Sequence, residues 1–540
     1  MNLNDFFKQR LKRGLVRRLN NLKIAATARR VVRHSPPATG KPIVFFKAST
    51  GIDDLSWNSG FHLLTSWALR LQGIPVAYFA CNAGMSKCVL GTNRDDVYKR
   101  MPCKSCVEQS KVMYAGLPSK VESRKSGVNW FDFHRDEELA SRISQLSLAE
   151  LMTFEYESLP LGALCLPGLR WILRIHHLTD DEPTRHLLRE YILSAWNVAR
   201  QFSKFLDETN PRAVVVFNGQ FFPEATAAFL ARGRGLRVIT HEVGLQPATA
   251  FFTEGEATIY PIVIPDSFEM SDAQNAKLDA YLVKRFNGDF TMAGIKFWAD
   301  IKGLDESFLQ KAAGFKQIVP IFTNVIFDTS QPHANTVFED MFAWLDMCLD
   351  VIRENRDTLF VIRAHPDETR VRKASRETVE GWATRREVQK EANVVFVSPR
   401  EPLSSYELIQ RSKFVMVYNS TIGLEASIMG AAVLCAGRAR FTQYPTVFFP
   451  QTVEDVRRKM NEFLGAEKIE IPAEFKRNAR RFLYYQLFRT SLSFGDFLEP
   501  SVRTTQARLK SFQLEKLLEA DAVKTILRGL LDDGDFLLAE

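Results

Sequence analysis

The sequence predicts an α/β protein of two Rossmann-like domains, each a parallel sheet with helices between its strands. Two blocks of short apolar runs alternate with amphipathic stretches, and the polar residues of each block collect just past the runs. The chain is 540 residues long, room for two to four domains with cores of their own.

In the first block Pro42–Lys47 reads as a strand, His62–Gln72 as a helix and Ile74–Ala80 as the next strand. Further on, Ala213–Phe217 is a strand ending in Asn218-Gly219-Gln220. A helix runs from Pro223, a residue suited to a first helical turn, to Arg232. Leu236–Thr240 follows as a strand ending in His241-Glu242-Val243-Gly244, and Leu148–Asp207 reads as wholly helical. In the second block Ile318–Thr323, Leu359–Arg363, Asn393–Val397, Phe414–Tyr418 and Ala432–Cys435 are five strands. Helices are predicted over Val337–Arg353, from Ser404 with Glu407 at capping-box spacing, and over Ile422–Met429, where Gly430 stops the turn. The predicted divisions are 1–40 (a basic helix and linker), 41–265, 266–475 and a helical tail, 476–540.

The composition, 46% hydrophobic and 25% charged, is that of a globular protein, and no apolar run reaches the ~18–20 residues that span a bilayer. Seven cysteines in so long a chain, with no signal-peptide pattern, favour a reducing, cytoplasmic setting. The net charge of +8 is local: residues 1–34 hold ten Lys/Arg against one acid, and the remainder is 61 basic against 62 acidic. Leu3, Phe7, Leu11, Leu15, Leu19 and Leu22 form one stripe of that basic segment. A basic amphipathic helix suits the anionic inner face of a membrane; a helix packed loosely on the body and a transit peptide are the other readings. Charge confined to one tail, without a groove of stacking aromatics, argues against nucleic acid.

Chemistry in such sheets lies at the carboxyl ends of the strands. His365, held extended by Pro366, can donate to a phosphate oxygen and, as imidazolium, assist a departing nucleotide. Asn419-Ser420-Thr421 sits where a strand turns into a helix, so hydroxyls and helix N–H groups form an anion site, although Ser and Thr there also suit a plain cap. Glu425 lies one turn on, where its carboxylate could receive a ribose diol. Arg363, Arg438 and Arg440 are candidates to hold a diphosphate or an acidic sugar.

The stretch Phe322–Gly437 resembles the capsule polysaccharide biosynthesis family of bacterial glycosyltransferases. The matching pieces are Phe322-Thr323-Asn324-Val325 with Asp328, Ile362–Glu368, Ser404-Ser405-Tyr406 and Tyr418–Glu425. The family is related to Kdo transferases and bacterial sialyltransferases, which pair a His-Pro motif with a Ser-Ser/Thr motif around a CMP-sugar. The resemblance implies a GT-B fold, two Rossmann-like domains facing across a cleft. It also implies that His365, Ser420 and Thr421 contact the donor phosphate, with Glu425 near the ribose. The resemblance favours a CMP-sugar donor; the second motif departs from the family's in reading Asn-Ser-Thr, so UDP and GDP stay open. The first domain then supplies a glycan or glycolipid acceptor site and the base. Glu242, in a motif similar to the acidic-residue-plus-glycine motif of the sialyltransferases, is the candidate base, with Asp53, Asp54 and Glu224 in reserve. Asn218, Gln220, His241 and Asp53 are the acceptor-side candidates.

No Asp-x-Asp metal motif stands out, and no cofactor beyond the nucleotide-sugar is expected. Cys81, Cys88, Cys103 and Cys106 could make a structural zinc site or remain reduced thiols. Two other functions stay open: a glycerophosphotransferase using a CDP donor, as in teichoic acid polymerases, and a non-catalytic scaffold at the membrane.

Overall fold

The computed structural model describes residues 3–49, 51–121, 126–287, 291–292, 295–296, 303–370 and 374–540; of residues 3–10 it describes the backbone only. The strands, in chain order, begin with β1 Ile43–Lys47, β2 Val76–Cys81, β3 Gly127–Phe131, β4 Ala213–Phe217, β5 Arg237–Val243 and β6 Thr249–Thr253. A small hairpin, β7 Thr291–Met292 and β8 Ile295–Lys296, precedes β9 Gln317–Phe322, β10 Thr358–Arg363, β11 Val394–Val397, β12 Val415–Val417 and β13 Val433–Cys435. Last come β14 Leu492–Ser493 and the hairpin β15 Leu498–Pro500 with β16 Ala507–Leu509.

Both main sheets share one topology. The first runs β14-β6-β5-β4-β1-β2-β3 and the second β11-β10-β9-β12-β13. The five strands β3-β2-β1-β4-β5 pair in parallel, as do all five of the second sheet. In each, the strand order reverses between the first strand and the fourth, the Rossmann arrangement with its crevice at that reversal. The protein is therefore GT-B in class. All five predicted strands of the second block are present, because strands covered on both faces read as unbroken apolar runs. β3, β6 and β14 were not predicted. β6 is antiparallel to both β5 and β14, so the far end of the chain returns to complete the first sheet.

The segment Leu148–Asp207 is helical in three pieces, Leu148–Met152, Leu161–Leu173 and Glu182–Thr209, whose apolar faces cover one side of the first sheet. The other side is covered by Trp57–Leu71, the C-terminal helices and the second half of the helix Leu3–His34, through Ile24, Ala28 and Val31. Asn20 fixes that helix to β16, donating to Ala507 O at 3.2 Å and accepting from Leu509 N at 2.9 Å. Its leucine stripe faces out instead: Leu11, Leu15, Leu19 and Leu22 are 73%, 60%, 57% and 62% exposed. Among the described residues, no helix is long and apolar enough to cross a membrane.

Candidate functional site

The carboxyl ends of β9 and β12 diverge at the reversal of the second sheet and open a cavity of about 280 Å³. Asn324 after β9, His365 after β10, Asn419, Ser420 and Thr421 after β12, and Arg438 and Arg440 after β13 all line it. A groove of about 890 Å³ passes Gly40–Pro42, but it lies before β1, away from the carboxyl strand ends.

Pro366 opens a short helical turn and holds His365 extended, at φ −72° and ψ 132°. The ring's Nδ1 accepts the Asp367 N–H at 3.1 Å. A neutral ring then carries its proton on Nε2, the tautomer that can donate to a phosphate. At the start of the helix Ile422–Met429, Thr421 makes no side-chain capping bond, so its hydroxyl is not spent on the helix. Gly423 allows the close turn here: a Cβ would meet Val417 Cγ2 at 2.9 Å and Phe441 at 3.1 Å. Asn419 is set by Asn324 and Gln331, each 3.3 Å away.

Arg174, Arg370, Arg438 and Arg440 line the cavity against Asp328 and Asp367, a basic surplus suited to phosphate. Arg440 lies over the Tyr260 ring at 4.0 Å, and Arg370 pairs with Asp367 at 3.1 Å. Arg174 comes from the first domain. It is left-handed, φ 64°, at the end of Leu161–Leu173, and packs over Trp171 at 4.2 Å and over Phe327 of the second domain at 4.9 Å. Burial, with Arg94 nearby, draws its pKa down to about 10, leaving it charged at neutral pH.

Several sequence-predicted residues lie elsewhere. Glu425 is buried, taking Arg285 Nη2 at 2.6 Å on one oxygen and the Tyr406 hydroxyl at 2.5 Å on the other. Its carboxylate is thus committed inside the domain rather than presented to a ribose. Arg363 is buried at the end of β10 and is not among the residues lining the cavity. Asp53 pairs with Arg13 at 2.5 Å and Arg17 at 3.7 Å, so it ties the N-terminal helix to the body rather than facing an acceptor. His241 is buried against His62, 3.4 Å between ring nitrogens, and burial together with Lys47 draws its pKa down to about 3. Glu224 shares that buried environment with Lys47; burial pushes the carboxyl up and the amine down. Glu242 accepts from Asn58 at 3.1 Å and Asn218 at 3.0 Å, and does not line the cavity.

Gln220, by contrast, reaches the cleft. Its Nε2 lies 2.9 Å from His333 Nε2 and 3.3 Å from Glu256. His333 lines the cavity with Nε2 2.8 Å from Glu256 Oε2, a histidine oriented by a carboxylate. Sequence reading missed His333, Glu256, Arg174 and Arg370. Only His333 and Arg370 lay within the family-like stretch, His333 in the short helix Gln331–Ala334 after β9 and Arg370 just past the helical turn Pro366–Thr369 after β10.

The four N-terminal cysteines line one small cavity of about 20 Å³ with Met85 and Met101. Burial raises the thiols of Cys81 and Cys103 and pushes Cys88 up to about 12.

Residues 303–445 match the family model described as capsule polysaccharide biosynthesis protein. Protein FixF of Sinorhizobium fredii is 24% identical over 307 residues, 56% of this chain and 65% of that protein, so the chain spans just under two thirds of that relative. Among solved structures, KpsC beta Kdo 2,4 transferase of Thermosulfurimonas dismutans is similar at TM-score 0.35 and 11% identity, over 57% of this chain and 87% of that one. The UDP-GlcNAc 2-epimerase of Neisseria meningitidis is similar at TM-score 0.26 and 11% identity, over 83% and 99%. The matched stretch holds the whole second sheet and every cavity residue except those from the first domain, so the likeness to the capsule polysaccharide biosynthesis family covers the second domain's share of the site.

Proposed function

We propose that the protein is a glycosyltransferase that moves a sugar from a nucleotide-sugar, with CMP-sugar favoured, to a glycan or glycolipid acceptor in surface polysaccharide synthesis. The observation that carries this reading is the cavity at the reversal of the second sheet, where His365, Thr421 and four arginines line a space of about 280 Å³. The bond from the sugar's anomeric carbon to the phosphate oxygen breaks, and the acceptor oxygen takes the sugar. The electron pair stays on the phosphate, where the arginines and the His365 Nε2–H stabilise it. The arginines supply the charge neutralisation, so this reaction uses no metal at the phosphate. The acceptor hydroxyl's proton goes to His333: with Nε2 toward Glu256, Nδ1 is the basic nitrogen. Glu242, the sequence-derived candidate, is the alternative base.

A membrane-borne acceptor accounts for the basic helix. Four exposed leucines on one stripe bring up to roughly 1.5–3 kcal/mol each if fully buried. Nearby lysines and arginines add about 1 kcal/mol each at an anionic surface. The protein on this reading works at the cytoplasmic face of the membrane.

The test is calorimetric titration of CMP, CDP, UDP and GDP into the wild type and His365→Ala. Stabilisation by CMP that weakens at least tenfold in the variant supports a CMP-sugar donor. Binding of UDP or GDP instead moves the donor class, and a protein that binds none of the four defeats the transferase reading.

A further inference from the structure

We infer that the seam between the two domains holds a divalent transition-metal site, zinc by ligand type, built from His176, His177 and Asp340. One ligand atom from each of the three lies within 4.8 Å of the others. The two histidines follow the helix Leu161–Leu173 of the first domain, whereas Asp340 caps the helix Met341–Glu354 of the second. Such a metal would bridge the two halves, beside Arg174 at the rim of the cavity.

Two of the three ligands already stand at close to metal-bridged spacing, and the third lies within reach of both. Asp340 divides its oxygens: Oδ1 caps the helix through Phe342 N at 2.6 Å and Ala343 N at 3.1 Å, while Oδ2 faces His177 Nε2 at 2.9 Å. On the other side of that ring, Glu377 Oε1 lies 2.6 Å from Nδ1. Glu377 accepts the Nδ1–H, the outer carboxylate partner usual for a metal-bound histidine, and a metal between His177 and Asp340 would take the Nε2 lone pair in place of the proton. The second oxygen of Glu377 accepts from the backbone N–H of His176 at 2.9 Å and of His177 at 3.1 Å, which fixes the loop. Two carboxylates against Arg170 leave the cluster one negative charge when both rings are neutral. Metal–ligand lengths near 2.0–2.2 Å at a tetrahedral angle put N and O roughly 3.3 Å apart, so His177 and Asp340 need separate by only about 0.4 Å. A fourth position remains for water.

The test uses the full chain stripped with a chelator and titrated with Co²⁺ and Zn²⁺, followed by visible absorption and calorimetry. The expected result is one Co²⁺ per chain, with ligand-field bands and no sulfur-to-cobalt charge-transfer band. Affinity should fall at least tenfold in His176→Gln and in Asp340→Asn, which keeps the capping oxygen, and roughly 10–100-fold in Glu377→Gln. It should be unchanged in Cys103→Ser/Cys106→Ser. A chain that binds no stoichiometric metal overturns the site, leaving His177 as a proton-bearing ion pair. So does a thiolate band, or binding indifferent to both His176→Gln and Asp340→Asn. Circular-dichroism melts of each variant verify that the fold is intact, and none of these readouts depends on transferase activity.

Discussion

Replacing Glu425 with glutamine separates a ligand-binding role from a structural one at the end of the Tyr418–Glu425 motif. Arg285 contacts Oε1 through Nε at 2.8 Å and Nη2 at 2.6 Å, and Tyr406 donates to Oε2 at 2.5 Å. The two ionic side chains are only 12% and 5% exposed. Burial alone would lower the Arg285 pKa, and Glu425, Tyr281 and Tyr406 raise it; a guanidinium is so basic that it stays charged even when its partner is lost. Removing the carboxylate therefore leaves a buried cation without its counter-charge, at a cost of about 3–5 kcal/mol. Glutamine still offers one acceptor, which places the expected loss near 3 kcal/mol. For a domain of 150–250 residues each kcal/mol is worth roughly 2–4 °C, so the transition of the second domain should fall by roughly 6–12 °C in scanning calorimetry. Nucleotide affinity, measured well below that transition, should stay within about twofold. Arg285→Met added to the glutamine variant should recover part of the loss, because the stranded charge is then gone. A melting temperature within about 2 °C of wild type, together with tenfold weaker nucleotide binding, would refute the argument and return Glu425 to the ribose.

Glu368→Gln should stabilise the protein in a pH-dependent way. Burial first, with Glu380, pushes the Glu368 carboxyl up to about 8, so the fold binds a proton that the unfolded chain releases near its ordinary 4.5. Wild-type stability should decline as pH rises from about 4.5 to 8, and the variant's advantage should grow to the order of 3 kcal/mol at pH 7, vanishing below pH 4. Melts across that range check it, and a gap independent of pH contradicts it. His333→Ala should lower kcat about 10²–10⁴-fold with donor affinity kept, whereas Glu242→Gln should have a smaller effect; the reverse order in steady-state assays makes Glu242 the base. Leu11, Leu15, Leu19 and Leu22 changed together to serine should abolish sedimentation with anionic vesicles without altering the melting temperature; retention on vesicles would mean that the exposed stripe is not the anchor.

The second sheet was legible almost strand for strand because parallel strands buried on both faces leave continuous apolar runs, each closed by turn-forming residues. β3, written Gly-Val-Asn-Trp-Phe, sits at the sheet's edge with Asn129 and Trp130 only half-buried, and so carries no such run. β6 is a strand because β5 and the distant β14 pair with it, a cause no local window contains. The site divides in the same way. His365, Ser420 and Thr421 could be read because a Pro-restricted strand end and a strand-to-helix turn are local features. Glu425 was misplaced because its partner Arg285 is 140 residues away in sequence. His333 with Glu256, and Arg174 over Phe327, exist only once one domain lies against the other.

That last distinction bears on how the protein works. His365, Thr421, Arg370, Arg438 and Arg440, proposed to hold the donor phosphate, all come from the second domain, so their geometry is fixed when that domain folds. The rest of the cavity is shared: Arg174, Gln220 and Glu256 come from the first domain and meet Asp328 and His333 of the second. The relative placement of the domains therefore sets where Arg174 meets the proposed donor phosphate and how Gln220 and Glu256 hold His333, the histidine proposed to take the acceptor's proton. The seam contacts that fix this placement are both polar and apolar. The polar ones include the Glu377 carboxylate on two backbone N–H groups, His177 between Asp340 and Glu377, and Arg376 on Asp95 at 2.7 Å. The apolar ones include Phe251, Tyr260 and Ile262 of the first domain, buried in one cluster with Phe322 and Val361 of the second sheet. Because a 1 Å misplacement can cost about 10²-fold in rate, substitutions at the seam should change kcat without touching either substrate.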